Sequence, residues 1–186
     1  LEVHRTSQGH DPELRDRMRG ALIGLAVGDA VGTTVEFKTP GSFPPVTDMV
    51  GGGPFRLAAG EWTDDTSMAL CLAESLIEGR EFDPVDQMKR YTKWYKHGHL
   101  SSNGRCFDIG NTVSEALARF AETKDPFAGS RAPNKAGNGS LMRLAPIPMF
   151  YFGRAAAKVR CRWPLTARGQ RTELPLPSTR VDISPR

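Results

Sequence analysis

The chain has 186 residues, 39% hydrophobic and 25% charged, enough to bury a sizeable single core and typical of a globular domain. It has no apolar run of the roughly 18 residues a membrane helix needs. The polar start Leu1-Glu2-Val3-His4-Arg5 lacks a signal-peptide core, and Cys71, Cys106 and Cys161 are widely spaced, so a membrane span, a zinc site and a disulfide framework are set aside and a cytoplasmic chain is expected. The net charge of +4 is local: residues 153–186 carry eight Lys/Arg against two acids, leaving 17 against 19 elsewhere. Trp163 is the single aromatic of that basic stretch, which argues against nucleic-acid binding.

In chain order, Asp11-Pro12-Glu13 reads as a capping Asp, a proline at the first helical position and an acid in the first turn. Met18, Leu22, Leu25 and Ala26 continue at helical spacing to an end near residues 29–32. Gly20, Gly24 and Gly28 share one face, which predicts close packing against a neighbouring helix. Residues 38–62, with Gly51-Gly52-Gly53-Pro54, form a loop too long for an ordinary connection. The glycine triplet lacks the Lys-Ser/Thr ending of a P-loop and is given a turn role. A second helix spans about residues 65–78, burying Met68, Ala69, Leu72, Ala73 and Leu76, with Gly79 at its end. A third begins at Asp83-Pro84 and runs to about Lys96, where His97 and His99 suit a helix terminus or exposed loop better than a metal. A fourth covers about residues 111–122 with Val113, Leu117 and Phe120 inward. A fifth starts near Ser140, carries Leu141, Met142 and Leu144, and is interrupted by Pro146 and Pro148.

No sustained strand alternation occurs, so the expected fold class is all-α, a compact orthogonal helical bundle with long functional loops. Residues 1–152 form the helical domain. Residues 153–186, with four prolines and no hydrophobic period, are expected to be poorly ordered.

Chemistry-bearing residues gather at four loop–helix junctions. The first is Gly28-Asp29-Ala30-Val31-Gly32 followed by Glu36-Phe37, and the second is Trp62-Thr63-Asp64-Asp65-Thr66. The third is Asp108-Ile109-Gly110-Asn111-Thr112, and the fourth Gly137-Asn138-Gly139-Ser140-Leu141-Met142-Arg143. Thr63, Asp64 and Asp65 offer the oxygens a hard divalent cation prefers, yet they serve equally well as a helix cap. Asp29 can simply end a helix, and Asp108, Asn111 and Thr112 can cap the fourth. Residues 137–140 read either as a turn accepting positive φ or as backbone amides that hold an anion. No Gly-x-Ser-x-Gly elbow is present to anchor a serine-hydrolase triad.

Taken together and in this order, residues 19–32, Val35-Glu36-Phe37 and the other three clusters resemble the opening half of the ADP-ribosylglycohydrolase family, over about residues 14–152. The resemblance implies an all-α fold with a dinuclear Mg²⁺ or Mn²⁺ centre. It assigns Thr63, Asp64 and Asp65 as metal ligands, Glu36 and Asp108 as catalytic acids, and Gly137, Asn138, Gly139 and Ser140 as substrate-binding residues. The implied substrate is an ADP-ribosylated protein or a small ADP-ribose compound. The family's late Asp-x-Asp-Thr motif has no counterpart in residues 153–186, so a second reading is a truncated or frameshifted chain that at most binds ADP-ribose. Either way, apolar faces around Leu22/Leu25 or Leu141/Leu144 are expected to be exposed and to promote self-association.

Overall fold

The computed structural model describes residues 11–130, 132–135 and 137–152. The poorly ordered tail expected over residues 153–186, and Cys161 within it, lie outside these. Five α-helices appear in chain order: α1 Pro12–Gly32, α2 Asp64–Gly79, α3 Pro84–His97, α4 Asn111–Thr123 and α5 Pro146–Tyr151, with 3₁₀ turns at Thr33–Val35 and Pro133–Lys135. Among the described residues there is no strand, only an isolated antiparallel bridge between Gly52 and Leu57. The fold is all-α.

Two helices start as their local chemistry dictates. The Asp11 carboxylate accepts from Glu13 N at 3.0 Å, with Pro12 at the first helical position. Asp83 accepts from Val85 N at 2.8 Å and Asp86 N at 3.0 Å, ahead of Pro84. These side chains satisfy amides that the first helical turn cannot pair internally. At the other end of α3, Gly98 takes φ +65° and its N–H donates to Trp94 O at 2.8 Å. A Cβ at Gly98 would lie 2.0 Å from the Gly104 carbonyl oxygen, so glycine is required on both counts. α2 ends one residue later than expected: Gly79 is helical, and Arg80 adopts the left-handed conformation at φ +56°.

α2 is the central helix, packed against α1, α3 and α5. Met68 and Cys71 from α2, Tyr91 and Trp94 from α3, and Val113 and Leu117 from α4 form one buried cluster, with Met88, Ile109 and Met142 packed on its rim. The predicted stripes of α2 and α4 are therefore in the core; Ala73 is only half-buried. Arg143 lies over the Tyr91 ring, 4.7 Å from its centroid, joining the residue 137–143 segment to α3.

Two expectations are corrected. Gly20, Gly24 and Gly28 are exposed, and a Cβ at any of them would meet nothing within 4 Å, so among the described residues their face packs against no helix. Ile23 and Val27 share that exposure, whereas Leu22 and Leu25 are half-buried; Leu141 and Leu144 are exposed as expected. No helix begins at Ser140. The Asn138 carbonyl accepts from both Leu141 N and Met142 N, a chain of tight turns follows, and α5 starts only at Pro146. Pro146 has no N–H to extend an earlier ladder, but it suits a first helical position.

Candidate active site

The N-terminus of α2 is held by a residue from another helix. Asp29, near the end of α1, accepts from Thr63 N at 3.0 Å through either carboxylate oxygen and from Thr66 N at 3.1 Å. The Thr63 and Thr66 hydroxyls each donate to it at 2.7 Å. The Thr63 side chain occupies the cap position without making a cap hydrogen bond. Asp29 thus does more than terminate α1: it places a negative charge at the positive end of α2 and fixes Thr63. With its proton committed to Asp29, the Thr63 hydroxyl keeps lone pairs for another partner. Asp64 then sits buried in the first turn, and Asp65 beside it is half-buried.

The cap reading also fails for α4. Gly110 is its cap residue and no side chain bonds there.

The acids from different segments feel one another. Burial pushes the Asp64 carboxyl up to about 7, with Asp108, Asp65 and Asp29 adding repulsion. Asp65 is raised by burial and then by Asp29; Asp108 is raised by burial, then by Asp65 and Asp29. Glu36 is raised by burial and Asp108, against a lowering hydrogen bond from Thr33 Oγ1 at 3.3 Å. Mutual repulsion among half-buried carboxylates with no cation among its causes is the electrostatics of a site suited to positive charge. Aromatic contacts link these segments: Phe37 meets Phe55 edge-to-face at 6.4 Å, and Phe55 meets Phe107 at a tilt at 5.5 Å. The glycine triplet supports the same arrangement as a turn, all three residues having positive φ. A Cβ on Gly53 would come within 2.2 Å of Thr33 O.

Residues 137–139 line a cavity together with Asp64. That cavity has a volume of about 390 Å³, and its walls include Asp64, Asn111, Thr112, Gly137, Asn138 and Gly139. Gly137 and Gly139 are needed here for close approach and not for positive φ. A Cβ on Gly137 would lie 2.8 Å from Thr112 Oγ1, and one on Gly139 2.9 Å from Val113 Cγ2. Ser140 lines a neighbouring cavity.

The structure brings Thr63, Asp64 and Asp65 to one helix end, with Glu36 and Asp108 within electrostatic reach and residues 137–139 lining the same cavity as Asp64. The sequence reading left out Asp29 as a site residue. Its signal, an acid between glycines at a helix end, does not reveal partners 34 and 37 residues away. Among the described residues, no group of three or more His, Cys, Asp or Glu side chains is placed to hold a metal ion by itself. The two described histidines are elsewhere: His97 is exposed at the end of α3, and His99 Nε2 lies 2.7 Å from Glu74 Oε2.

The sequence model of ADP-ribosylglycohydrolase matches residues 10–163. The chain belongs to the ADP-ribosylglycohydrolase family. It is 56% identical over 135 residues to the ADP-ribosylarginine hydrolase Tri1 of Pseudomonas putida (strain GB-1), covering 73% of this chain and 36% of that protein. It is 37% identical over 152 residues to the ADP-ribosyl-[dinitrogen reductase] glycohydrolase of Rhodospirillum rubrum, covering 78% and 48%. A solved structure described as an ADP-ribosylglycohydrolase-related protein complex superposes with a TM-score of 0.62 at 53% identity, over 74% of this chain and 43% of that one. The chain spans less than half the length of these ADP-ribosylglycohydrolase relatives. The acid cluster, the polar cavity and residues 137–140 all fall inside the matched region.

Proposed function

We propose that this chain carries the acid-bearing part of a hydrolase that cleaves the glycosidic bond of ADP-ribosylated side chains or related ADP-ribose compounds. The observation that carries the reading is that Asp64, at the Asp29-fixed end of α2, lines one polar cavity together with Asn138 and its flanking glycines. The relatives bearing ADP-ribosylarginine hydrolase and dinitrogen reductase glycohydrolase names support the substrate class.

Thr63, Asp64 and Asp65 would hold Mg²⁺ or Mn²⁺, since their donors are all oxygen and the surrounding carboxylates favour a cation. When bound, such an ion polarises ribose hydroxyls and lowers the pKa of a water. Glu36 acts as general base, its raised carboxyl closer to the working pH than a free glutamate. Water attacks C1″ of the ribose, the C1″–N or C1″–O bond to the acceptor breaks with its electron pair going to the acceptor atom, Glu36 takes the water proton, and the acceptor atom takes a proton from solvent. The transition state has oxocarbenium character, which nearby carboxylates such as Asp108 stabilise. Residues 137–140 hold the ribose and phosphate portion.

The test is release of ADP-ribose from an ADP-ribosylated arginine peptide, with and without Mg²⁺ or Mn²⁺. Turnover is expected to need the metal, to disappear in Asp64→Ala and to fall about 100-fold or more in Glu36→Gln. A second reading, binding of ADP-ribose without hydrolysis, is favoured by one observation: among the described residues no group of three or more His, Cys, Asp or Glu side chains is placed to hold a metal ion. Calorimetric ADP-ribose binding without turnover would select it.

A further inference from the structure

The polar cavity beside Asp64 shares a wall with a second, mainly apolar cavity reaching Tyr91 and Phe127. Thr112, Val113, Lys135, Gly137 and Gly139 line both. Among the described residues around the polar cavity, Asp64 and Lys135 are the two with acidic or basic side chains. Lys135 Nζ is paired with Glu115 of α4, tying the residue 133–135 turn to that helix. Both side chains are about one-third or more exposed, at 36% and 42%. An ion pair in that much solvent is worth little and is readily exchanged.

An anionic ligand entering this cavity meets a strongly asymmetric field. Asp64 lines this cavity at the start of α2, with Asp65 next to it in the same acidic first turn. The same cavity is lined by the Lys135 ammonium and the polar side chain of Asn138. Charge thus favours placing the negative end of a polar, doubly negative ligand at Lys135 and away from Asp64.

Resting on the ADP-ribose reading above, we propose that Lys135 is the diphosphate-orienting residue. Its ammonium exchanges the Glu115 carboxylate for the diphosphate of ADP-ribose, which turns the ribose toward Asp64. Glu115 is then a competitor for the same cation, and its removal acts opposite to removal of Lys135.

The test is calorimetry of ADP-ribose binding to the full 186-residue chain at fixed Mg²⁺, with thermal melts to verify folding. Lys135→Gln is expected to weaken binding about tenfold or more, in line with loss of a charge-assisted hydrogen bond. Lys135→Arg is expected to retain most of it. Glu115→Gln breaks the same ion pair but frees the ammonium, so binding equals or exceeds that of the wild type. If the pair only staples the turn to α4, Lys135→Gln and Glu115→Gln weaken binding alike, and that result overturns the proposal. Unchanged binding in Lys135→Gln also overturns it. Should Lys135→Gln not fold, weaker binding in Glu115→Gln is decisive against it. A folded wild type that binds no ADP-ribose overturns the substrate reading itself, and this proposal with it.

Discussion

Asp29 makes four kinds of donor contact with two threonines, and through them it sets where Asp64 and Asp65 stand. The cost of that placement is electrostatic. Asp64 is buried among other acids, and its carboxyl rises from 3.8 to about 7. In the unfolded chain it reverts to an ordinary value, so between about pH 4 and 7 the folded state holds a proton that the unfolded state lacks. The corresponding stability is fully present below about pH 4 and is lost as pH rises through about 7. At 1.36 kcal/mol per unit, the loss is on the order of 2–4 kcal/mol. In EDTA, the melting temperature should therefore fall between pH 5 and 8. Asp64→Asn should melt higher than wild type at pH 8, with a flatter pH dependence, and added Mg²⁺ should raise the wild type selectively. Parallel pH profiles for the two proteins would refute this account of Asp64.

At the scale of elements, helix starts governed by neighbours in sequence were legible. Asp11-Pro12 and Asp83-Pro84 needed only residues two or three positions apart. Likewise, the inward faces of α2 and α4 follow from spacing alone. What sequence could not give was the partner of each face. The glycines of α1 and those at 98, 137 and 139 look alike on paper. In the structure, the α1 glycines face open space, while Gly98 touches the Gly104 carbonyl and the other two touch α4. The absent fifth helix at Ser140 has a similar origin, since Asn138 takes both following amides in a tight turn. The distinction yields opposite signs on substitution. Gly24→Ala should raise stability by roughly 0.5–1 kcal/mol, because alanine restricts the unfolded chain and fits the helix freely. Gly98→Ala should lower it by about 2 kcal/mol or more, through positive φ and the carbonyl clash together. It should also disturb ADP-ribose binding, because the segment after Gly98 leads to Phe107 and Asp108. Chemical denaturation of both variants checks this, and shifts of the same sign would contradict it.

For the whole molecule, the decisive quantity is apolar surface without a partner. Ile23 and Val27 on α1 are 62% and 44% exposed, and Leu141 and Leu144 on the turn before α5 are 70% and 40% exposed. Isolated exposed aliphatics are ordinary. Ile23 and Val27, however, stand on one helix face with Gly20, Gly24 and Gly28, which leave the backbone open to close approach. Outside residues 153–186 the charge is nearly balanced, at 17 basic against 19 acidic residues, so net repulsion does little to keep copies apart. The purified chain is therefore expected to self-associate, with a light-scattering mass above that of the monomer and rising with concentration. Ile23→Glu with Val27→Lys places opposite charges one turn apart on the exposed face and should shift the population toward monomer without lowering the melting temperature, since neither side chain is in the core. A wild type that stays monodisperse and monomeric up to about 100 µM would show that this face does not drive association. Equal association of the double variant would move the cause to Leu141 and Leu144.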